Sequence, residues 1–140
     1  MIWIRKYELD EVNTILDRYM TQNLGIKATE ILDDGLVAVM PITDKVRQPF
    51  GILHGGASVV LAESIGSVAS NLCIESDKWV GVGLEINANH LRSVKDGFVR
   101  AVCTAIRIGR TTHVWDIKIY DQDERLICVS RHTVAIVERR

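Results

Sequence analysis

The sequence predicts an α+β domain in which a curved antiparallel sheet wraps one long, buried helix. Two observations carry this. Residues 56–74, GASVVLAESIGSVASNLCI, are hydrophobic on nearly every side, as a helix enclosed by protein is. From residue 80 to 137 apolar residues then recur with strand periodicity, interrupted by turn residues at Gly109 and at Asp121–Glu124. One helix followed by a run of strands closes most simply as a sheet curved around that helix.

Each element follows from local pattern. Leu9, Val12, Ile15, Leu16 and Tyr19 recur at helical intervals, so residues 8–20 are expected to form a short amphipathic helix lidding one edge of the core. A strand is expected from Leu36 to Ile42, and the polar segment Thr43–Phe50, with Pro49, reads as a loop. Between residues 80 and 89 the apolar Val80, Val82, Leu84, Ile86 and Ala88 alternate with Gly81, Gly83, Glu85, Asn87 and Asn89, a strand with one apolar face. Residues 98–108 and 126–137 are apolar on both faces, and 112–120 buries His113, Trp115, Ile117 and Ile119. A single helix covers only one side of such a sheet. The apolar outer side therefore points to a homo-oligomer.

Bulk properties narrow the function. With 140 residues, 47% hydrophobic and 25% charged, and no composition break, the chain reads as one domain over residues 1–140. A formal net charge of −1 argues against a nucleic-acid partner, which would demand a basic excess. Ile2, Trp3 and Ile4 run at once into Arg5 and Lys6, so no export signal is expected, and no apolar run is long enough for a membrane span. Cys73, Cys103 and Cys128 are odd in number and lack CxxC spacing, which suits reduced thiols in the cytoplasm. His54, His90, His113 and His132 show no metal-ligand spacing, so no metal site is expected.

Chemistry concentrates between residues 48 and 67. Gln48, His54, Gly55, Gly56 and Glu63 fall within sixteen residues that span a loop, a helix start and two turns of the buried helix. Free N–H groups at a glycine-bearing helix start, with the helix dipole, stabilise a developing oxyanion. Glu63, amid Val60, Leu61, Ala62 and Ile65, must be paired, exposed or functional, and a carboxylate there could attack a carbonyl or activate water. His54 reads either as a loop residue bonded to backbone carbonyls, orienting the Gly55 peptide, or as a base. Gln48 is a turn residue or an amide donor to the substrate. Glu63, Ser67, Ser70 and Asn71 share one helix face, and Ser67 either bonds back to the Glu63 carbonyl or touches substrate. His90, Arg92, Arg107 and Arg110 are solvated charges or a phosphate-binding set.

The segments QPFGILHGGASVVLAESIGSVAS (48–70), GLEINANHLRSV (83–94), IRIGRTTHVW (106–115) and CVSRHTVAI (128–136) together resemble the hot-dog-fold thioesterases. The resemblance covers most of the chain. It implies hydrolysis of an acyl- or aroyl-coenzyme A ester without a cofactor, by dimers or dimers of dimers with shared active sites. It further implies that Glu63 is the nucleophile or general base, that Gly55 offers the oxyanion N–H, that Gln48 and His54 position the thioester, and that Ser67 lies near the acyl group. Val82, Asn89, His90, Leu91, Arg92, Ile106, Arg107, Ile108, Gly109, Arg110 and Thr111 are implied to line the coenzyme A site, with Glu63 and the nucleotide side coming from different subunits. Two rival expectations are a 3-hydroxyacyl-thioester dehydratase and a non-catalytic acyl-coenzyme A sensor.

Overall fold

A computed structural model describes residues 1–140. Helices α1 (Leu9–Leu16) and α2 (Tyr19–Asn23) precede strands β1 (Lys27–Ile31) and β2 (Gly35–Pro41); after a 3-10 turn at Asp44–Val46 comes the long helix α3 (Gly55–Leu72). Strands β3 (Trp79–His90), β4 (Phe98–Ile108), β5 (Thr112–Asp121) and β6 (Leu126–Glu138) complete the chain. All six strands form one antiparallel sheet in the order β1-β2-β4-β5-β6-β3. No helix is long and apolar enough to cross a membrane.

The inner face of the sheet is built in rows. Leu36, Cys103, Ile117 and Ser130 lie side by side on β2, β4, β5 and β6, and Ala38, Ala101, Ile119 and Cys128 form the next row. All eight are buried. Against them α3 sets Leu61, Ala62, Ile65 and Ala69, also buried, so the enclosed-helix pattern in the sequence reflects a helix packed on five strands.

Three elements depart from expectation. The helix expected over residues 8–20 breaks after Leu16: Arg18 is extended, Tyr19 adopts φ +50°, and the Thr21 hydroxyl donates to the freed Leu16 carbonyl at 2.6 Å. Val12 and Leu16 reach the core, whereas Tyr19 is 88% exposed, so a continued helix would gain no burial there. Strand β1 has no counterpart in the sequence reading, because KATEI buries only Ala28; the Asn13 side chain of α1 clamps that residue through both its N–H and its carbonyl. In β3 the expected apolar face is buried only in part, with Ile86 and Ala88 half-buried against the core. A bulge between Gly83 and Glu85 breaks the alternation, and Val82 and Leu84 are 45% and 65% exposed.

The two sheet edges differ in kind. β1 is short, bulged and covered by α1, whereas β3 runs for 12 residues with β6 on one side and no strand on the other. A long apolar edge left unprotected is a template for pairing with another strand.

Candidate active site at the start of helix α3

The loop before α3 is fastened by backbone bonds from Gln48 N–H to the Ile52 carbonyl at 2.9 Å, from His54 N–H to the Val46 carbonyl at 2.8 Å and from Leu53 N–H to the Val94 carbonyl at 2.8 Å. His54 caps the helix. Its Nδ1 accepts from the Gly56 N–H at 2.8 Å, and its carbonyl accepts from Ala57 and Ser58. The ring thus bonds to an N–H, not to backbone carbonyls as expected, because a helix start offers donors. In the neutral ring Nδ1 is the acceptor and the proton sits on Nε2. Of the first-turn N–H groups only that of Gly55 finds no protein acceptor. It lies at the positive end of the helix dipole, where an oxyanion would be most favoured.

Both glycines make room for imidazoles. A Cβ on Gly55 would stand 2.9 Å from His90 Nε2, and one on Gly56 would stand 2.9 Å from His54 Nδ1. The Gln48 side-chain oxygen accepts from the Phe50 N–H, which leaves its amide NH2 as a donor. A cleft of about 350 Å³ brings Gln48, Gly55, Ser58, His90, Leu91 and Arg92 together. Across His54 lies a larger cavity of about 720 Å³, walled by Tyr19, Met20, Val46, Gly56, Ala57 and Val60.

Glu63 lies elsewhere. Half-exposed at 46%, its carboxylate leans over Gly83 of β3, with Oε2 3.7 Å from Nε2 of His132 on β6. It lines neither cavity. Eight residues of helix separate it from Gly55, about 12 Å of rise, whereas a nucleophile and an oxyanion donor must both stand about 3 Å from one carbonyl. Within one chain the two halves do not converge. Ser67 is half-buried on the same side, its carbonyl taking the Asn71 side chain at 2.8 Å, while Asn71 also clamps Gly81 of β3.

Ser70 does not belong with these. Although it shares the helix face, it is fully buried, accepts from the Trp115 indole N–H at 2.7 Å and stands 3.1 Å from His113 Nδ1. Burial pushes the His113 pKa down, although a backbone bond at Gly109 opposes this. One face of a helix need not be one environment: α3 is open beside Gly83 and enclosed by β5 two turns later.

The residues expected to hold coenzyme A fall into two groups. Asn89–Arg92 adjoin Gln48 and Gly55, with His90 opposite Cys128 of β6. Val82 and Thr112 instead flank Ala135 of β6, and the Thr111 carbonyl accepts from Ile136 N–H, so Ile106–Thr111 cluster at the other end of the sheet. There Ile108, Gly109 and Arg110 border a depression with Lys78, Trp79 and His113. Seven strand residues on β6 separate the groups, about 23 Å. Sequence reading missed Gly83 and His132, whose partnership with Glu63 depends on the pairing of β3 with β6; the only local signal was glycine in a strand interior.

Comparison with known proteins agrees with this architecture. The Thioesterase superfamily model matches residues 50–128. The 1,4-dihydroxy-2-naphthoyl-CoA hydrolase of Escherichia coli (strain K12) is 53% identical over 98% of this chain and 100% of its own length. A proofreading thioesterase of Cronobacter sakazakii is 44% identical over 98% and 99%. Among solved structures, a mutant thioesterase from Pseudomonas aeruginosa superposes with a TM-score of 0.96 at 45% identity, over 99% of this chain and 100% of that one. A helix wrapped by six antiparallel strands, matched end to end by thioester hydrolases and over more than half its length by their family model, belongs to the thioesterase superfamily and hydrolyses thioesters.

Proposed function

We propose that this enzyme cleaves aroyl- or acyl-coenzyme A esters in sites built from two copies of the chain, Glu63 of one copy acting on a carbonyl held by the Gly55 N–H of the other. One observation carries the reading: the only unpaired first-turn donor of α3 and the catalytic carboxylate candidate lie on one helix, about 12 Å apart. Antiparallel pairing of two copies along the open β3 edge reverses the ends of the sheet. It turns the Gly55–His90 end of one copy toward Gly83 and Glu63 of the other, with the two-fold axis between Gly83 and His90. The same rotation moves Asn89–Arg92 toward Val82 and Ile106–Thr111 of the second copy. One operation thus closes both gaps and covers the exposed Val82 and Leu84.

In such a site the thioester oxygen accepts from the Gly55 N–H and the Gln48 amide, while His54 fixes the first turn by occupying Gly56. Glu63 either adds to the carbonyl carbon, expelling coenzyme A as the thiolate and leaving a mixed anhydride that water hydrolyses to the free acid, or takes a proton from a water whose oxygen adds to that carbon and expels the same thiolate. The reaction so written uses no cofactor. Arg92, Arg107 and Arg110 supply charge for the phosphates, and Ser67 lies near the acyl group. The apolar cavity beside His54, rimmed by Tyr19 and Met20, takes the acyl group. 1,4-Dihydroxy-2-naphthoyl-CoA, on which the Escherichia coli relative is named to act, heads the substrates to try. Three free cysteines suit a cytoplasmic setting, and the exposed outer Phe98, Ile106 and Val137 suit a further dimer-of-dimers contact.

Subunit mixing tests the reading. Glu63→Gln removes the carboxylate and should lower turnover by about 10² to 10⁴. Gly55→Pro removes the N–H at a helix position that tolerates proline but also sets a ring against His90, so Gly55→Ala serves as the control for bulk. Each should be inactive alone, and co-refolded mixtures should recover about a quarter of wild-type activity, from one intact site in each mixed dimer. Absence of recovery from well-mixed dimers would show that each site lies within one chain.

A further inference from the structure

We propose that His132 is a positioning residue for Glu63: its Nε2–H, aimed from inside the sheet at Oε2, holds that oxygen over Gly83 and leaves Oε1 to face the substrate carbonyl. The inference rests on the reading of Glu63 as the reacting carboxylate and adds a residue that never touches substrate. His132 stands on β6 opposite Trp115 of β5 and Ile86 of β3. It is completely buried, and neither ring nitrogen has a hydrogen-bond partner. A buried imidazole with both nitrogens idle calls for a physical reason. The acidic group beside it is Glu63, with Oε2 3.7 Å from Nε2.

Two glycines make the slot for this pair. A Cβ on Gly66 of α3 would stand 2.6 Å from Nδ1 of His132. A Cβ on Gly83 of β3 would stand 2.5 Å from Oε2 of Glu63 and 3.1 Å from Nε2 of His132. Glycine backbone thus closes on the ring at Nδ1, while Nε2 looks toward a carboxylate, so the proton belongs on Nε2. At 3.7 Å the contact is longer than a hydrogen bond, and rotation of the Glu63 terminal torsions shortens it; catalytic contacts commonly tighten once substrate is bound.

The charged surroundings keep the ring a neutral donor. Burial pushes the His132 pKa down, while Glu63 from α3 and Glu85 from β3 push it up, and the net direction is down. From β5 the opposing residue is the uncharged Trp115, with His113 two positions along. A donor directed at the charged form of a carboxylate favours that form.

The test uses benzoyl-coenzyme A hydrolysis, read by thiol release from acidic to neutral pH. His132→Leu fills the slot without an N–H: KM should stay near wild type, kcat should fall on the order of tenfold, and the acid limb of the profile should move toward neutral pH. His132→Gln, whose amide reaches the Nε2 position, should restore most of kcat; His132→Asn, which is too short, should not. Wild-type kcat and an unmoved acid limb in the leucine variant would overturn the proposal, as would equal loss in the glutamine and asparagine variants. Should the leucine variant not fold, the glutamine and asparagine pair decides alone. Glu63→Gln separates the two ideas: if it retains turnover, the reading of Glu63 itself falls, and if it is inactive while the His132 variants behave as wild type, only the role of His132 falls.

Discussion

Gly83→Ala is a probe of one methyl group placed against the carboxylate proposed to react, Glu63. The added Cβ would stand 2.5 Å from Glu63 Oε2, and ordinary van der Waals contact begins near 3.4 Å. The carboxylate must therefore retreat by about 0.5 to 1 Å. Its carboxyl is the free end of a half-exposed side chain, so its retreat costs little in folding free energy, while the buried His132 ring, 3.1 Å from the same Cβ, must give by a few tenths of an ångström. Catalysis is less tolerant, since a displacement of about 1 Å at a reacting group can lower turnover by about 10². The expected variant thus melts close to wild type and has a near-normal KM, with kcat reduced roughly 10- to 100-fold. Thiol release from benzoyl-coenzyme A measures kcat and KM, and a thermal melt at matched protein concentration checks the fold. Turnover within about twofold of wild type in a folded variant would refute the placement of Glu63 over β3 as the working geometry.

Two further outcomes follow from buried polar groups. Ser70→Ala leaves the Trp115 indole N–H and the His113 Nδ1 without a partner, a cost of about 2 to 4 kcal/mol, which in a chain of this size lowers Tm by roughly 5 to 15 °C; turnover below the melt should be unchanged, and a large kcat loss would return Ser70 to the active site. Asp121 accepts N–H bonds from Asp123 at 2.9 Å and Arg125 at 2.9 Å, with the Arg125 guanidinium at 2.8 Å. Burial pushes its pKa up, but these donors outweigh burial and hold it below the ordinary carboxylate value. A folded pKa below the unfolded one stabilises fully above the unfolded value, about 3.9, and that stabilisation is lost as pH falls through the folded value. Asp121→Asn should therefore lower Tm at pH 7 and converge with wild type in strong acid; a Tm gap independent of pH would contradict this.

Much of the fold was legible because it is written in short-range periodicity. The enclosed helix announced itself by being apolar all round, and β4, β5 and β6 by residues such as Trp115, Ile117 and Ile119 that recur every second position. What escaped depends on neighbours remote in sequence. β1 is held by the Asn13 side chain of another element, and no apolar alternation marks it. The break before Tyr19 follows from which turns of helix reach the core, which the intervals Val12, Ile15, Leu16 and Tyr19 do not reveal. β3 shows the opposite failure: its alternation is real in sequence, yet a bulge and an open edge leave Val82 and Leu84 outside the core of a single chain.

The site was legible in its parts and not in its assembly. Gln48, His54 and Gly55 are neighbours in sequence and remain so in space, because a helix start and its entering loop are local structure. A helical wheel likewise groups Glu63 with Ser70, but it carries no information on what packs outside each turn, and β5 converts Ser70 into a core acceptor while β3 leaves Glu63 half in solvent. That partial exposure argues for function more strongly than burial would. A carboxylate fully enclosed with a neutral imidazole would carry a large desolvation cost and tend toward its protonated form. At an open edge that cost is not incurred, and in the proposed dimer a second β3 docked along that edge would exclude water at the point where charge develops, strengthening the Gly55 N–H and the Glu63 carboxylate together. In the proposed dimer, the edge that a monomer would leave bare is thus the place where the reacting groups become effective.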